Sequence, residues 1–445
     1  MLAVTATLAL LCSLISCTKV GGGDTRTIKV LIGLNASYLK QQQQYFGTIS
    51  RQFQQRTGYK VQFQTFSSSS DEQQQLQSAV ISGSGPDVFA LGTTFIPTAY
   101  ATGAFHVLSE KDWTELGGRG RYIQQQLAMS GPSRDQQIGV PYATQPYVMA
   151  YNTEMFRKAG ISGPPKTWTE FVDDAKKLTD PAHGVYGASV DPSDGFDPWK
   201  YIWMFTLQSG GELISNDRSK ALLGSDPVVN GASFWFDWYT KYKIVDPSSV
   251  SWQGASALSA FAAGKSAMQT MVSAGTIPTL DSSAVKGKYA YAPMPTVPYG
   301  ATKLPPGGKA AASIVSGQDY AIAQYSDKTS IDLQLIKFLT DPAQQLLATK
   351  YFGDIPGNAA AAQQAIQQNP RLKAFMAAEP NAVPTTFTGA WGTLQIALGT
   401  AVAETLPSLT SGSFDRAALK SRLSQINTQV QSALDEQRKA ESKSR

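Results

Sequence analysis

The sequence is poor in the residues that most often hold metal ions. It has only two cysteines and two histidines among 445 residues. His106 and His183 lie far apart in the chain, and neither belongs to an HExxH pattern. Because a structural zinc site needs four Cys or His ligands in a recognisable spacing, the sequence predicts no metal site. We expect no other cofactor either.

Strong charge and the motifs of common nucleophiles are also missing. Charged residues make up 16% of the chain, and the formal net charge of +5 has no concentrated basic cluster, which argues against nucleic-acid binding. No G-x-S-x-G elbow is present. The segment Gly264-Lys265-Ser266 follows a predicted helix, and Ser259 stands where a phosphate-binding loop needs its first glycine. These absences favour a binding protein over an enzyme, with no catalytic residues.

Only the first residues are apolar enough to enter a membrane. Positions 2–16 contain no charged residue, but these fifteen residues are too few for a transmembrane helix, which needs about 20. Their length is typical of the apolar region of a secretory signal. A buried N-terminal helix is the alternative. Since a positively charged start is missing, we expect translation to begin upstream of Met1.

Regular apolar patterns further along predict an α/β fold. Strands are predicted at 28–32, 61–66 and 87–91, with amphipathic helices between them. The first of these helices should end at Gly58. This order of elements predicts a parallel sheet with helices on its faces. The length allows two or three domains.

Several stretches, in a fixed order, carry a family resemblance. GPDV at 85–88 is followed by VPY at 140–142, AYNTEMFRKAGI at 150–161, FAAGKSAM at 261–268 and GDIP at 353–356. From about Ile28 to Leu434 the chain resembles the extracellular solute-binding proteins of ABC sugar importers, of the maltose-binding-protein type. The resemblance implies a two-lobed α/β periplasmic-binding-protein fold with a hinge and a ligand cleft between the lobes. It places the first lobe at 28–142 and 298–350, and the second at 143–297 and 351–445.

The resemblance also implies a function. Such a protein captures a sugar or sugar-like polyol outside the membrane and delivers it, as a monomer, to the permease subunits and ATPase of an ABC importer. A glycerophosphodiester-binding importer component has the same architecture, but it needs a basic residue in the cleft. A secreted glycoside hydrolase and a structural surface protein are further alternatives, and the hydrolase would need two carboxylates facing each other across the cleft.

The two cysteines, Cys12 and Cys17, suggest at first a disulfide, a metal pair or a processing signal. The segment Leu14-Ile15-Ser16-Cys17 resembles a bacterial lipobox. It implies a signal peptide at 1–16, cleavage before Cys17 and a diacylglycerol on the Cys17 thiol. Residues 17–27 would then form a flexible tether to the extracytoplasmic face of the cell membrane. Cys12 would leave with the signal, so no cysteine pair would remain.

The loops that follow the strands are the expected ligand contacts, because open α/β sheets bind ligands beyond the carboxyl ends of their strands. Gly92, Thr93 and Thr94 follow the third strand, and the resemblance places a sugar-contacting loop there, often with a carboxylate at the position of Thr94. The family has a carboxylate contact near Gln145 as well. A glutamine amide both donates and accepts hydrogen bonds, which suits a neutral polyol.

Aromatic platforms and small residues complete the predicted site. Trp391, which lies among small residues, matches the late aromatic contact of the family and should have an accessible ring face. Trp199 is a second candidate, with core packing as its alternative. The loop at 273–276 aligns with a family loop that commonly carries a tryptophan. No tryptophan is present here, but Ser273 and Gly275 can still offer hydroxyl and backbone groups to a ligand. Gly307 and Gly308 would let backbone N–H groups approach a ligand closely; an ordinary turn is their alternative. These remaining candidates are Tyr38, Ser273, Gly275, Gly307 and Gly308.

Overall fold

The computed structural model describes residues 26–196 and 198–443. The predicted signal peptide and Cys17 therefore lie outside the described residues. The described residues form ten strands and seventeen α-helices. The strands are β1 (Thr27–Gly33), β2 (Lys60–Phe66), β3 (Val88–Gly92), β4 (Gly139–Thr144), β5 (Val148–Asn152), β6 (Tyr186–Ser189), β7 (Ser266–Val272), β8 (Tyr289–Ala292), β9 (Gly317–Ile322) and β10 (Ile355–Pro356).

Helices separate most of these strands. They are α1 (Leu39–Thr57), α2 (Ser69–Ser82), α3 (Ile96–Ala101), α4 (Glu110–Glu115), α5 (Gln124–Leu127), α6 (Thr153–Lys158), α7 (Trp168–Leu178), α8 (Trp199–Gln208), α9 (Asp226–Thr240), α10 (Gly254–Ala262), α11 (Ile277–Asp281), α12 (Thr329–Leu339), α13 (Pro342–Phe352), α14 (Ala359–Gln368), α15 (Leu372–Ala378), α16 (Trp391–Thr410) and α17 (Arg416–Lys443).

The first lobe is built on a six-stranded sheet in the order β10-β4-β9-β3-β1-β2. The three predicted strands are confirmed as β1, β2 and β3, and they run parallel. The predicted parallel sheet is thereby confirmed for these three strands, and β9, β4 and β10 extend it through antiparallel pairings of β9 with β3, of β4 with β9 and of β10 with β4. In β1, Val30 packs into the core on one face and Leu31 into the core on the other. Helices therefore cover both faces, as the apolar strands require.

Helix boundaries follow local sequence signals. Helix α1 ends at Gly58, which adopts φ +77°, a left-handed conformation that glycine accepts without strain. Helix α7 begins with a capping box in which the Thr167 hydroxyl accepts from the backbone N–H of Glu170 at 3.1 Å. The Glu170 carboxylate accepts in return from the backbone N–H of Thr167, also at 3.1 Å. Both backbone donors are thus satisfied at the start of the helix.

The second lobe is built on a four-stranded sheet in the order β6-β7-β5-β8. On one face, helices α7, α8, α9, α16 and α17 enclose a core rich in tryptophan. On the other face, α10, α11, α14 and α15 enclose a smaller core. The tryptophans that are no more than 1% exposed in the larger core are Trp168, Trp199, Trp235, Trp238 and Trp391. Large buried aromatic surfaces of this kind dominate the energetics of a core.

The chain changes sheets three times, at 145–147, at 293–316 and at 357–358. The predicted boundary at 297/298 falls inside the second of these segments. The predicted boundaries at 142/143 and 350/351 fall inside β4 and α13, both of which belong to the first lobe. The first lobe therefore extends to β10. The crossings bring loops of both lobes to one gap between the sheets.

Candidate ligand-binding site

A cavity of about 700 Å³ lies between the two lobes. Its first-lobe wall comes from the loops at the carboxyl ends of β1, β2 and β3, at residues 33–37, 66–69 and 92–95. Its second-lobe wall includes the loop at 194–196 and the N-terminus of α10. The volume is in the range of pockets that hold small molecules. Its position agrees with the rule for open α/β sheets.

Five of the predicted contact residues line this cavity: Gly92, Thr93, Thr94, Gln145 and Ser273. Thr93 is only 1% exposed, and its hydroxyl donates to the carbonyl of Val315 at 3.0 Å. Its backbone N–H donates to the carbonyl of Gly317 at 3.0 Å. Thr93 therefore fixes the loop in place, while Thr94 and Gln145 remain half-buried at the cavity surface.

Trp199 and Trp391 do not line the cavity. Each is 1% exposed, and their rings meet edge to face with centroids 5.6 Å apart in the second-lobe core. The expectation that Trp391 has an accessible ring face is wrong. The small residues beside it serve close packing instead, since a Cβ on Gly392 would lie 2.8 Å from the Thr98 hydroxyl. For Trp199 the structure shows the core packing given as its alternative.

Tyr38 and Gly275 lie where the two lobes touch. The Tyr38 hydroxyl, 7% exposed as a residue, donates to the carbonyl of Gly275 at 2.5 Å and lies 2.9 Å from the Thr279 hydroxyl. Neither Tyr38 nor Gly275 lines the cavity. Their hydrogen bond therefore joins the first lobe to the second beside the cavity, and leaves the phenol little freedom to reach a ligand.

Gly307 and Gly308 form a turn outside the cavity, beside the C-terminal end of α8. Gly307 has φ +76°, and the backbone N–H of Gly308 donates to the carbonyl of Pro305 at 2.9 Å. A Cβ on Gly308 would lie 2.6 Å from the carbonyl of Gln208. The structure thus places both glycines in the ordinary turn that was their alternative, packed against the end of α8.

The lobes also touch at the mouth of the cavity. The backbone N–H of Ser69, at the start of α2, donates to the carbonyl of Gly195 at 3.1 Å. Beside it, the rings of Phe66 and Phe196 lie with centroids 6.1 Å apart. A Cβ on Gly195 would stand 3.0 Å from that of Ser68, so the second-lobe loop approaches the first lobe closely. These contacts cover the cavity from the side of α2.

Sequence reasoning missed several glutamines around the cavity. Gln42 and Gln345 hold backbone groups, for example Gly33 and Asn358, and so brace the walls. Gln395, on α16, is different. It is 4% exposed, it lines the cavity, and its Oε1 has no hydrogen-bond partner among the described residues. Because an unmade buried hydrogen bond costs free energy, the Gln395 amide is a candidate contact for a ligand in this cavity.

Charged side chains in the cavity were also missed. Asp354 is half-buried in the cavity wall, where desolvation raises the pKa of its carboxyl to about 6, partly offset by a hydrogen bond from Gln145. The Lys200 ammonium donates to the Tyr147 hydroxyl at 2.5 Å and lies 3.9 Å from the centroid of that ring. Glu72 lies in the first-lobe wall. Asp354 belongs to the GDIP stretch at 353–356, but no local pattern marks any of the three as a cavity residue. Only the fold brings them to the same cavity.

A second, smaller cavity of about 330 Å³ lies on the second lobe, away from the lobe junction. Its walls include Phe234, Asp237, Tyr299 and Arg416.

Within 26–196 and 198–443, no group of His, Cys, Asp or Glu is arranged to hold a metal ion. No helix in the same ranges is long and apolar enough to cross a membrane.

Comparisons with known proteins agree with this architecture. A diacetylchitobiose binding protein of Streptomyces coelicolor, DasA, is 26% identical over 381 residues, which cover 82% of this chain and 79% of DasA. Among solved structures, maltose-bound MalE3 of T. maritima has a TM-score of 0.74 and 19% identity, covering 91% of this chain and 98% of that one. A ribitol-bound solute-binding protein of Agrobacterium radiobacter has a TM-score of 0.76 and 19% identity, with the same coverages.

The match to a family extends over most of the chain. The profile of the family described as bacterial extracellular solute-binding protein matches residues 36–346. This range covers the first two crossings between lobes and most of the cavity wall. The resemblance to maltose-type binding proteins and the two-lobed α/β fold are thereby confirmed. The chain belongs to the family of bacterial extracellular solute-binding proteins.

Proposed function

We propose that this chain is the substrate-binding component of an ABC importer and that it captures a sugar or a sugar-like polyol in the cavity between its lobes. The observation that carries this proposal is the unpaired, buried Gln395 oxygen in a cavity that also has aromatic walls. Sugars present hydroxyl edges and apolar C–H faces. They therefore bind best where amides and ring faces stand together.

The cavity supplies both kinds of group. Gln145, Thr94 and Ser273 offer amide and hydroxyl groups, and they come from both lobes and the crossing between them. The Tyr142 and Phe46 rings are half-buried and line the first-lobe wall. A ligand that contacts both lobes stabilises their closed arrangement, which is how a hinged binding protein presents a loaded form to its permease. The diacetylchitobiose and ribitol bound by the relatives above are ligands of this class.

Calorimetry with a panel of mono- and disaccharides, N-acetylated sugars and polyols tests this function. We expect binding heat with at least one of them. With that ligand, Gln395→Ala should weaken binding by about 1–3 kcal/mol, because a ligand donor loses its acceptor.

Gln344→Ala is the matched control for that variant. The Gln344 Oε1 is also buried without a partner among the described residues, but Gln344 does not line the cavity. We expect its removal to leave the affinity unchanged. Absence of heat with every sugar and polyol, together with heat from peptides or metal ions, would overturn the proposed ligand class.

We propose further that the protein is anchored through a lipid on Cys17 at the extracytoplasmic face of the cell membrane. The apolar-apolar-small-Cys pattern of residues 14–17 supports this part of the proposal. Cys17→Ala should move the full chain from the membrane fraction into the soluble extracytoplasmic fraction of the cells that produce it. Retention of that variant in the membrane would count against lipidation, without bearing on ligand capture.

A further inference from the structure

An exposed aromatic ring stands at the edge of the smaller cavity, on the second lobe. Tyr299 is 39% exposed, and it is the one aromatic side chain among the large exposed apolar residues of 26–196 and 198–443. Its turn is held on both sides by α7. The Trp168 backbone N–H donates to the Val297 carbonyl at 3.0 Å. The Gly300 backbone N–H donates to the Thr169 hydroxyl at 2.9 Å. The ring is therefore already positioned, and contact with a ligand needs little further ordering.

Further rings continue this aromatic surface into the cavity. The ring of Phe234, on α9, has its centroid 5.5 Å from that of Tyr299, with the two planes inclined by 27°. The centroid of the Tyr242 ring lies 5.2 Å from that of Tyr299. Trp168 and Phe205, both no more than 4% exposed, complete the apolar walls. Ring faces of this kind pack well against the C–H faces of a sugar.

Hydrogen-bond acceptors and donors line the same cavity. Asp237, on α9, is half-buried, and its carboxylate makes no hydrogen bond or close ion pair in the part of the chain that the structure describes. Neighbouring cations act on it only as more distant charges. The Arg416 guanidinium donates to the side-chain oxygen of Asn230 and to the Ser233 hydroxyl, the latter at 2.9 Å. Since a guanidinium has five N–H donors, Arg416 is fixed in place and still has donors to offer.

The charges around the cavity favour a neutral ligand. Its described lining has one carboxylate, that of Asp237, and one guanidinium, that of Arg416, so the two charges cancel. The Tyr242 ring would otherwise attract a cation, but the ammonium groups of Lys176 and Lys241 already lie 5.0 and 5.3 Å from its centroid. A cationic ligand would meet these positive groups, and an anionic ligand would meet Asp237. The hydroxyls of a neutral sugar can donate to the carboxylate and accept from the guanidinium.

We propose that this cavity is a second carbohydrate site, which binds one ring of a neutral sugar between the aromatic residues, Asp237 and Arg416. Its volume of about 330 Å³ lies at the lower end of the range for small-molecule pockets. Its walls belong to α7, α8, α9, α17 and the turn at 298–299 that α7 holds. The site is therefore complete within the second lobe and does not depend on lobe closure. This inference goes beyond the proposed function and stands or falls without it.

Fluorine NMR of the full chain labelled with 5-fluorotryptophan tests this inference. Trp168 lines the second cavity, whereas no described residue in the lining of the larger cavity is a tryptophan. The Trp168 signal is assigned with Trp168→Phe. The probes are glucose, maltose and diacetylchitobiose, with tetramethylammonium and benzoate as charged ligands for comparison. We expect the Trp168 signal to shift saturably with at least one of the sugars, with a dissociation constant on the order of 1–10 mM for so small a contact.

Two substitutions show whether the response comes from the proposed contacts. Asp237→Asn and Tyr299→Ala should each weaken it about tenfold, through loss of a charge-assisted hydrogen bond and of a stacking face. Asp174→Asn is the matched control for the first. Asp174 is also a half-buried helical aspartate of the second lobe, but it lies on α7 outside the cavity, so the response should be unchanged.

Three outcomes overturn the second site. One is the absence of a saturable Trp168 shift with every sugar up to about 100 mM, a concentration that fills even weak sites. Another is a tighter response to tetramethylammonium or benzoate than to any sugar. The third is a sugar response that persists in both Asp237→Asn and Tyr299→Ala, with circular dichroism showing that they are folded. None of these outcomes bears on ligand capture between the lobes, which calorimetry measures separately.

Discussion

Replacing Trp391 by alanine is expected to lower the free energy of unfolding by about 3–5 kcal/mol, as for other large aromatic side chains removed from a core. Trp391 is 1% exposed, and its ring meets that of Trp199 edge to face at 5.6 Å. It stands at the start of α16, where the backbone N–H of Gly392 donates to the Thr98 hydroxyl of the first lobe at 2.9 Å. Its loss would leave a cavity at the junction of two helices and both lobes.

Chemical denaturation of the two proteins measures this effect, and Trp252→Ala is the matched control. Trp252 is only half-buried, so its removal should cost much less stability. Little change in the stability of the Trp391 variant, together with a large loss of sugar affinity, would contradict the assignment of Trp391 to the core. It would then belong to the ligand site after all.

Replacing Gly92 by phenylalanine is expected to abolish ligand binding, with an affinity loss of more than about a hundredfold, or about 2.7 kcal/mol. Gly92 is the last residue of β3 and lines the cavity. A Cβ there would meet only the Gln318 amide nitrogen at 3.9 Å and the Thr94 hydroxyl at 4.0 Å, both ordinary contacts. The added ring therefore fits without disturbing the strand and occupies space that the ligand needs.

The exposed Gly47 provides the control for this variant. It lies in α1, outside the cavity, and a Cβ there meets nothing within 4 Å. Gly47→Phe should bind the ligand as the unaltered chain does, with circular dichroism showing that both variants are folded. Normal sugar binding by folded Gly92→Phe would place the ligand outside this cavity.

Much of the fold could be read from local sequence. The strands β1 to β3 and the helix that ends at Gly58 follow from patterns within a few residues, because burial of one face imposes a period on the chain. The antiparallel strands of the first sheet could not be predicted in this way. The partner of β3 in the sheet, β9, lies more than two hundred residues further along, and its pairing depends on two crossings between lobes.

The residues of the candidate site differ in the same way, because local sequence indicates some of them and not the others. Gly92 and Thr94 were found because a loop after a parallel strand is a general position for ligands. Trp391 was misjudged because its cover is supplied by Trp199, which no local pattern connects with it. Asp354 and Gln395 could not be assigned from the sequence, since a carboxylate or amide in a cavity wall gains a role only from the groups that the fold brings around it.

The measurement that tests the central claim most directly is a crystal structure of the chain with the sugar or polyol that binds most tightly by calorimetry. The account predicts that the ligand lies in the cavity of about 700 Å³ between the lobes, with the Gln395 Oε1 accepting a hydrogen bond from it and Gln145 and Thr94 in contact. A ligand seated instead in the cavity of about 330 Å³ beside Tyr299, with the space between the lobes empty, would contradict it.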